Sequence, residues 1–179
     1  MPRLTARLAP LLLAVTLAAC GSQASVPPSV PPSVSSAAPS SRPVLTLSGL
    51  DVEPLEHREE SVALAFDHET AATLLREVPA ELDFATQAVV CVFLGPRQTT
   101  GWSLDLRTAS LTGRDLRIRA RETPPRGSTR DEVTYPADCG LLSRVALPVG
   151  EITVRADDTI TDEFIAETTV AVPQSSTTP

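Results

Sequence analysis

Ala88-Val89-Val90-Cys91-Val92-Phe93-Leu94 is apolar at every position. A continuous run of this length suits a central strand covered on both faces, and it is the best candidate for the middle of a core. Working outward, Trp102, Leu104 and Leu106 alternate with Ser103, Asp105 and Arg107. Beyond a turn around Gly113, Leu116, Ile118 and Ala120 alternate with Arg117, Arg119 and Arg121. That pattern predicts a hairpin with one buried face. Val44 to Leu50, Ser61 to Phe66, Leu141 to Leu147, Glu151 to Arg155 and Phe164 to Val172 read as further extended runs. A single helix interrupts them: Asp67 is its N-cap, Ala71, Leu74, Leu75 and Val78 recur at helical spacing, and Pro79 forbids continuation. The expected fold is mainly β, a β-rich α+β domain arranged as a partly open sandwich or barrel with one short helix.

The flanks have a different character. Arg3 and Arg7 precede a short apolar run ending in Leu17-Ala18-Ala19-Cys20. Leu8 to Ala19 is about a dozen residues, interrupted by Pro10, against the roughly 20 a spanning helix needs. Residues 1–19 therefore read as an export signal of the bacterial lipoprotein type, with Cys20 taking a covalent lipid and becoming the mature N-terminus. That places the protein in the bacterial cell envelope, lipid-anchored on the non-cytoplasmic side of a membrane. Residues 20–43 are rich in Pro, Ser, Ala and Val, with the near-repeat Val26-Pro27-Pro28-Ser29-Val30-Pro31-Pro32-Ser33-Val34. Such a stretch favours extended polyproline II and reads as a tether of up to roughly 70 Å. One domain is expected over 44–172, and 173–179 reads as an unstructured tail.

Of the 179 residues, 15 are basic and 22 acidic, a net charge of −7. Losing Arg3 and Arg7 with the signal makes the balance 13 against 22. Nucleic acid is not an expected partner for such a surface. Lipidation of Cys20 would leave Cys91 and Cys139, in a compartment where disulfides persist. Paired, they close a loop of about 48 residues, worth roughly 4 kcal/mol in the chain-entropy model. Unpaired, Cys91 is simply a small buried apolar residue.

A catalytic site is hard to assemble. His57 and His68 are the two imidazoles, there is no Gly-x-Ser-x-Gly elbow, and His68-Glu69 lacks the second histidine of a zinc-protease helix. No enzyme activity, metal or cofactor is expected beyond the lipid on Cys20. Glu56-His57-Arg58-Glu59-Glu60, Asp157-Asp158 and Asp162-Glu163 read as solvated acidic turns, without calcium-loop spacing. Arg117, Arg119 and Arg121 read as a solvated face partly neutralised from Asp105. Gly95-Pro96-Arg97-Gln98-Thr99-Thr100-Gly101-Trp102 is different. It joins the most apolar strand to the hairpin, begins with a glycine, and delivers a tryptophan at the loop-strand junction. Arg97, Gln98, Thr99, Thr100, Gly101 and Trp102 offer charge, amide, hydroxyls and an aromatic ring for recognition of a partner. The alternative is a scaffold loop in which Trp102 fills the core.

Leu82-Asp83-Phe84, the apolar strand through Leu94, and then Gly95, Thr99, Gly101, Trp102, Leu104 and Leu106 resemble the C-terminal domain of the PrcB family. The resemblance runs over about Glu81 to Arg155. Tyr135-Pro136 and Val145-Ala146-Leu147-Pro148 are similar to that family's closing Pro-strand-Pro segment, here longer and carrying Cys139. Trp102 stands where tyrosine is usual and Gln98 where proline is common. The resemblance implies an exported, non-catalytic accessory subunit that supports a partner protein, a surface protease in the family's named complex. Arg97 to Trp102 is also similar to the Asn-Pro-Thr-Thr-Gly-Tyr loop of chagasin-like peptidase inhibitors, which have an immunoglobulin-like fold. It lacks that loop's first two residues, and the chain lacks its companion Gly-x-Gly-Gly and Arg-Pro-Trp loops. A structural envelope lipoprotein is the remaining alternative.

Overall fold

The computed structural model describes residues 43–174. The expected signal, the lipidation site Cys20, nearly all of the tether and residues 175–179 lie outside the described residues.

The described residues form nine strands and one short α-helix, with a single 3-10 turn at Arg144–Ala146: β1 Val44–Leu45, β2 Leu47–Gly49, β3 Glu60–Ala65, α1 His68–Ala72, β4 Gln87–Leu94, β5 Ser103–Thr112, β6 Asp115–Thr123, β7 Ala137–Ser143, β8 Gly150–Asp158 and β9 Phe164–Val172. They make two sheets, ordered β1-β5-β6-β8-β9 and β2-β7-β4-β3. Every neighbouring pair is antiparallel except β6 and β8, which run parallel because the chain visits the other sheet as β7 between them. The result is an open two-sheet sandwich, not a closed barrel.

β4 is interior to its sheet, and all of Ala88 to Leu94 is buried. Ala88, Val90, Val92 and Leu94 face the other sheet and meet Leu104, Ala109, Leu116, Ile118, Ala120, Ile152, Val154 and Ala156. Val89, Cys91 and Phe93 face outward into a second cluster with Ala71, Leu74, Leu75 and Cys139. Both faces of the apolar run are therefore covered, and each fully buried Val, Leu or Phe side chain contributes about 1.5–3 kcal/mol. Cys91 and Cys139 sit directly opposite each other in β4 and β7 and are joined as a disulfide, Cα atoms 4.2 Å apart.

Three expectations are corrected in detail. Val44 to Leu50 is not one strand: the chain leaves the first sheet after Leu45 and enters the second at Leu47, turning a corner at Thr46 so that both leucines pack on the core between the sheets. The helix has the expected cap, Asp67 accepting from the Thr70 N–H at 2.7 Å, but it ends at Ala72, well before Pro79. Leu74 and Leu75 stay buried, yet the backbone there pairs with 53–55: Leu55 N–H donates to Leu74 O and Arg76 N–H to Glu53 O. These inter-segment bonds replace a further helical turn. In the hairpin, β5 begins at Ser103, leaving Trp102 half-buried just outside it, and the ladder slips between Leu106 and Thr108. The slip moves the inward set from Leu104 and Leu106 to Ala109 and Leu111. Beside it, Asp138 on β7 accepts from Leu106 N–H at 2.6 Å and from Cys139 N–H at 2.9 Å, tying the two sheets together.

The strand directions give the sandwich two distinct poles. At one, β5 and β6 turn at Gly113, Pro43 O accepts from Leu111 N–H, and Val172 stands opposite Gly150, so the described chain both enters and leaves there. Arg144 secures that pole, donating to the carbonyls of Phe66, Phe84 and Pro173. At the other pole the loop 95–102 crosses from β4 to β5, 124–136 crosses back from β6 to β7, and 159–163 joins β8 to β9.

Candidate functional site

At the second pole 95–102 and 124–136 are hydrogen-bonded to each other, and 159–163 is tied to the end of β6. Gly95 is buried at φ +65°, and a Cβ there would stand 3.2 Å from the Glu60 backbone nitrogen, so only glycine lets the loop leave β4 against β3. Arg97 then pairs with Thr134 through both backbone groups, at 2.8 and 2.9 Å. Its guanidinium donates to Leu94 O at 2.7 Å, to Glu122 at 2.8 Å and to Glu60 at 3.5 Å, and lies 5.8 Å from the Trp102 ring centre. The Glu122 hydrogen bond holds Arg97 still more firmly in its charged form, against the opposing effect of burial. Thr99 Oγ1 accepts from the Trp102 indole N–H at 3.2 Å, and Thr99 O accepts from the Thr134 hydroxyl at 3.2 Å. Thr100 exchanges bonds with Arg130: its N–H donates to Arg130 O at 3.1 Å and its hydroxyl oxygen accepts from Arg130 N–H at 3.2 Å.

Of the six expected recognition residues, Arg97 and Trp102 line a common cleft, Gln98 and Gly101 are exposed, and Thr99 and Thr100 are engaged inside the loop. The recognition loop is therefore a rigid frame as much as a display of free groups.

Across the cleft stands the 159–163 turn. The reading of Asp157-Asp158 as a solvated acidic turn is overturned: both are buried. Asp158 Oδ1 accepts from Ile160 N–H at 2.7 Å, Thr161 N–H at 2.8 Å and the Thr161 hydroxyl at 3.2 Å, while Oδ2 accepts from Glu122 N–H at 3.0 Å. Burial alone would raise its pKa. The donors from Glu122, Thr161 and Ile160 outweigh burial and hold it below the ordinary aspartate range. One carboxylate thus shapes the turn and ties it to the end of β6. Asp157 points to the outer sheet face, between Arg155 at 2.7 Å and Arg117. The signal was available: Ile152, Val154 and Ala156 alternate inward, and Asp158 is the next residue of that series.

The arginine stripe is also paired differently from expectation. Asp105 faces Arg121 in register, but its ion pair is with Arg107 at 2.9 Å; Arg117 pairs with Asp157 and Arg119 with Asp162. In the expected turn 56–60, Glu60 serves Arg97, and His57 is half-buried with its ring stacked on Phe93, centroids 3.9 Å apart. Neither His57 nor His68 lines the cleft.

The cleft has a volume of about 450 Å³. Leu94, Trp102, Pro124, Ile160, Phe164 and Ile165 form its apolar walls, and Glu60, Glu122, Asp158 and Glu163 supply carboxylates. Ile160 is 65% exposed and Phe164 54% exposed, high values for two large apolar side chains lining one cleft. Chemically, this is a set for non-covalent recognition: apolar walls, fixed carboxylates and a guanidinium already committed to them. Among the described residues no group of three or more His, Cys, Asp or Glu side chains is placed to hold a metal ion, and no helix is long and apolar enough to cross a membrane. Set against family models, curated proteins and solved structures, the chain matches none of them.

Proposed function

We propose that this chain is a membrane-anchored, non-catalytic accessory lipoprotein of the PrcB type, which holds or stabilises an exported protein partner through the pole that carries Trp102. A protease is the class of partner to which the PrcB resemblance points. The observation that carries the reading is the exposed apolar pair Ile160 and Phe164 beside Trp102, on a pole whose loops are locked by Arg97, Thr100 and Asp158. Pre-ordered loops lose little entropy on association, which suits a docking surface. Lipidation at Cys20 and the Pro/Ser-rich tether supply the anchoring half of the reading.

Crosslinking in native membranes, followed by mass spectrometry of the neighbours, tests it. One partner at near-stoichiometric yield is expected, and recovery of the uncombined chain alone refutes it. Cys20→Ser is expected to release the protein from the membrane fraction without unfolding it; retention refutes the lipid anchor.

The two-sheet sandwich and the polar position of 97–102 also support the second reading, a chagasin-like peptidase inhibitor. In that case the full chain inhibits a papain-like peptidase, and Thr99→Ala with Thr100→Ala weakens inhibition several-fold. Absence of inhibition across a panel of such peptidases removes this reading.

A further inference from the structure

We infer that the cleft beside Trp102 docks a basic segment of the partner, one that presents Arg or Lys next to a large apolar side chain. The inference deepens the accessory-subunit reading and rests on it for the existence of a protein partner.

Charge selects the occupant. Glu60, Glu122, Asp158 and Glu163 stand against the single guanidinium of Arg97. That guanidinium already faces the two carboxylates Glu60 and Glu122 and donates to Leu94 O, so its charge is matched before any anion arrives. Glu163 is exposed and Glu60 half-exposed, which leaves carboxylate oxygens open on the rim. An acidic segment would meet like charge, and a purely apolar one would strip water from the open oxygens of Glu60 and Glu163 without replacing it. A basic segment satisfies them.

The aromatic faces point the same way. Arg97 lies over Trp102 and Arg155 lies 5.1 Å from the Phe164 ring centre. Both rings already carry an internal cation, so the incoming charge belongs at the carboxylates and the incoming apolar group against Ile160 and the ring edges. A second copy of this chain is disfavoured as occupant. It brings the same acidic cleft and a net charge of −7.

Trp102 is the single tryptophan of the chain, so its emission reports on this cleft directly. The full chain in neutral detergent is titrated with a peptide of roughly ten residues, Ser-Gly flanks around alternating Arg and Val, and with its counterpart bearing Glu for Arg. The basic peptide is expected to shift the emission and saturate, with affinity falling about tenfold between about 20 and about 500 mM NaCl. The acidic peptide is expected to leave the emission unchanged. Glu163→Gln should weaken binding by roughly threefold and Ile160→Ser by roughly tenfold, both with an unchanged unfolding midpoint because the replaced side chains are exposed. Equal responses to both peptides, or no response to either, overturn the inference. So does an emission shift that grows with the chain's own concentration in the absence of peptide, which assigns the cleft to a second copy. A partner crosslinked in membranes while the basic peptide fails to bind overturns this inference and leaves the accessory reading standing. Peptide binding with no crosslinked partner upholds the cleft's preference for a basic segment and overturns the accessory reading, and with it the assignment of that segment to a partner.

Discussion

Replacing Asp158 by alanine removes the acceptor on which the turn after β8 is built. Glu122 N–H, Ile160 N–H and Thr161 N–H lose their partner together with the Thr161 hydroxyl. Ile160 and Thr161 are exposed, so water can take over part of their loss, whereas Glu122 lies against the cleft floor and is only partly exposed. A hydrogen bond to a charged group is worth about 1.5–3 kcal/mol, and a donor left without a partner costs about 1–3 kcal/mol. One half-buried donor and two re-hydrated ones give a loss of about 2–4 kcal/mol. Asp158→Asn keeps one acceptor oxygen and should lose about 1 kcal/mol. The pH dependence supplies the sharper criterion. Because the folded-state pKa of Asp158 lies below its ordinary value of 3.8, its contribution is complete above that value and disappears as pH falls through the lower, folded one. The gap between wild type and Asp158→Asn should therefore be constant near neutrality and narrow below about pH 4. Urea unfolding of the full chain, followed by Trp102 emission and circular dichroism across that range, measures both quantities. A cost under about 0.5 kcal/mol for Asp158→Ala, or a gap unchanged down to the acid limit, would refute the role assigned to this carboxylate.

Mass analysis of thiol-labelled protein without reductant should find neither Cys91 nor Cys139 labelled, and Cys91→Ala with Cys139→Ala should cost about 2–5 kcal/mol in urea unfolding. Labelling of either cysteine in the folded, unreduced protein counts against the pairing. Gly95→Ala places a Cβ at φ +65° against the Glu60 backbone and should cost about 1–3 kcal/mol; an unchanged unfolding midpoint would contradict that strain. Trp102→Ala should cost well under the roughly 3–5 kcal/mol of a fully buried tryptophan, because Trp102 is half-buried, while abolishing capture of a crosslinked partner. A large stability loss with capture intact would make the loop a scaffold.

How much of this was legible depends on how far apart the cooperating residues lie. The Ala88–Leu94 strand, the hairpin about Gly113 and β9 follow from patterns within ten residues or so, since periodicity is a local property. The slip at Arg107 is visible only in retrospect, as an inward set that changes parity between Leu106 and Ala109. The early end of α1 was not legible, because the competing hydrogen bonds come from 53–55 and no local propensity reports them. Cys91 and Cys139 were candidates from composition alone, and register made them neighbours. In the same way, 97–102 could be singled out as a recognition loop, but its cleft could not. Ile160 and Phe164 line one cleft with Trp102 only because β8 and β9 continue the sheet that holds β5, and Asp158 was misread because its strand was ended three residues too soon.

The separation of the two poles has a mechanical meaning. The described chain begins at Pro43, at the Gly113 end, and β1 and β2 both run from there toward the cleft. A load applied between Pro43 and the cleft pole is directed along the strand axes. The hydrogen bonds of β1 to β5 and of β2 to β7 then share it in shear, all together, instead of being peeled one by one. Tension between Pro43 and Pro173 acts across a single pole and can unzip the edge strands in turn. The same domain should thus be stiff when pulled through its cleft and yielding when stretched between its ends.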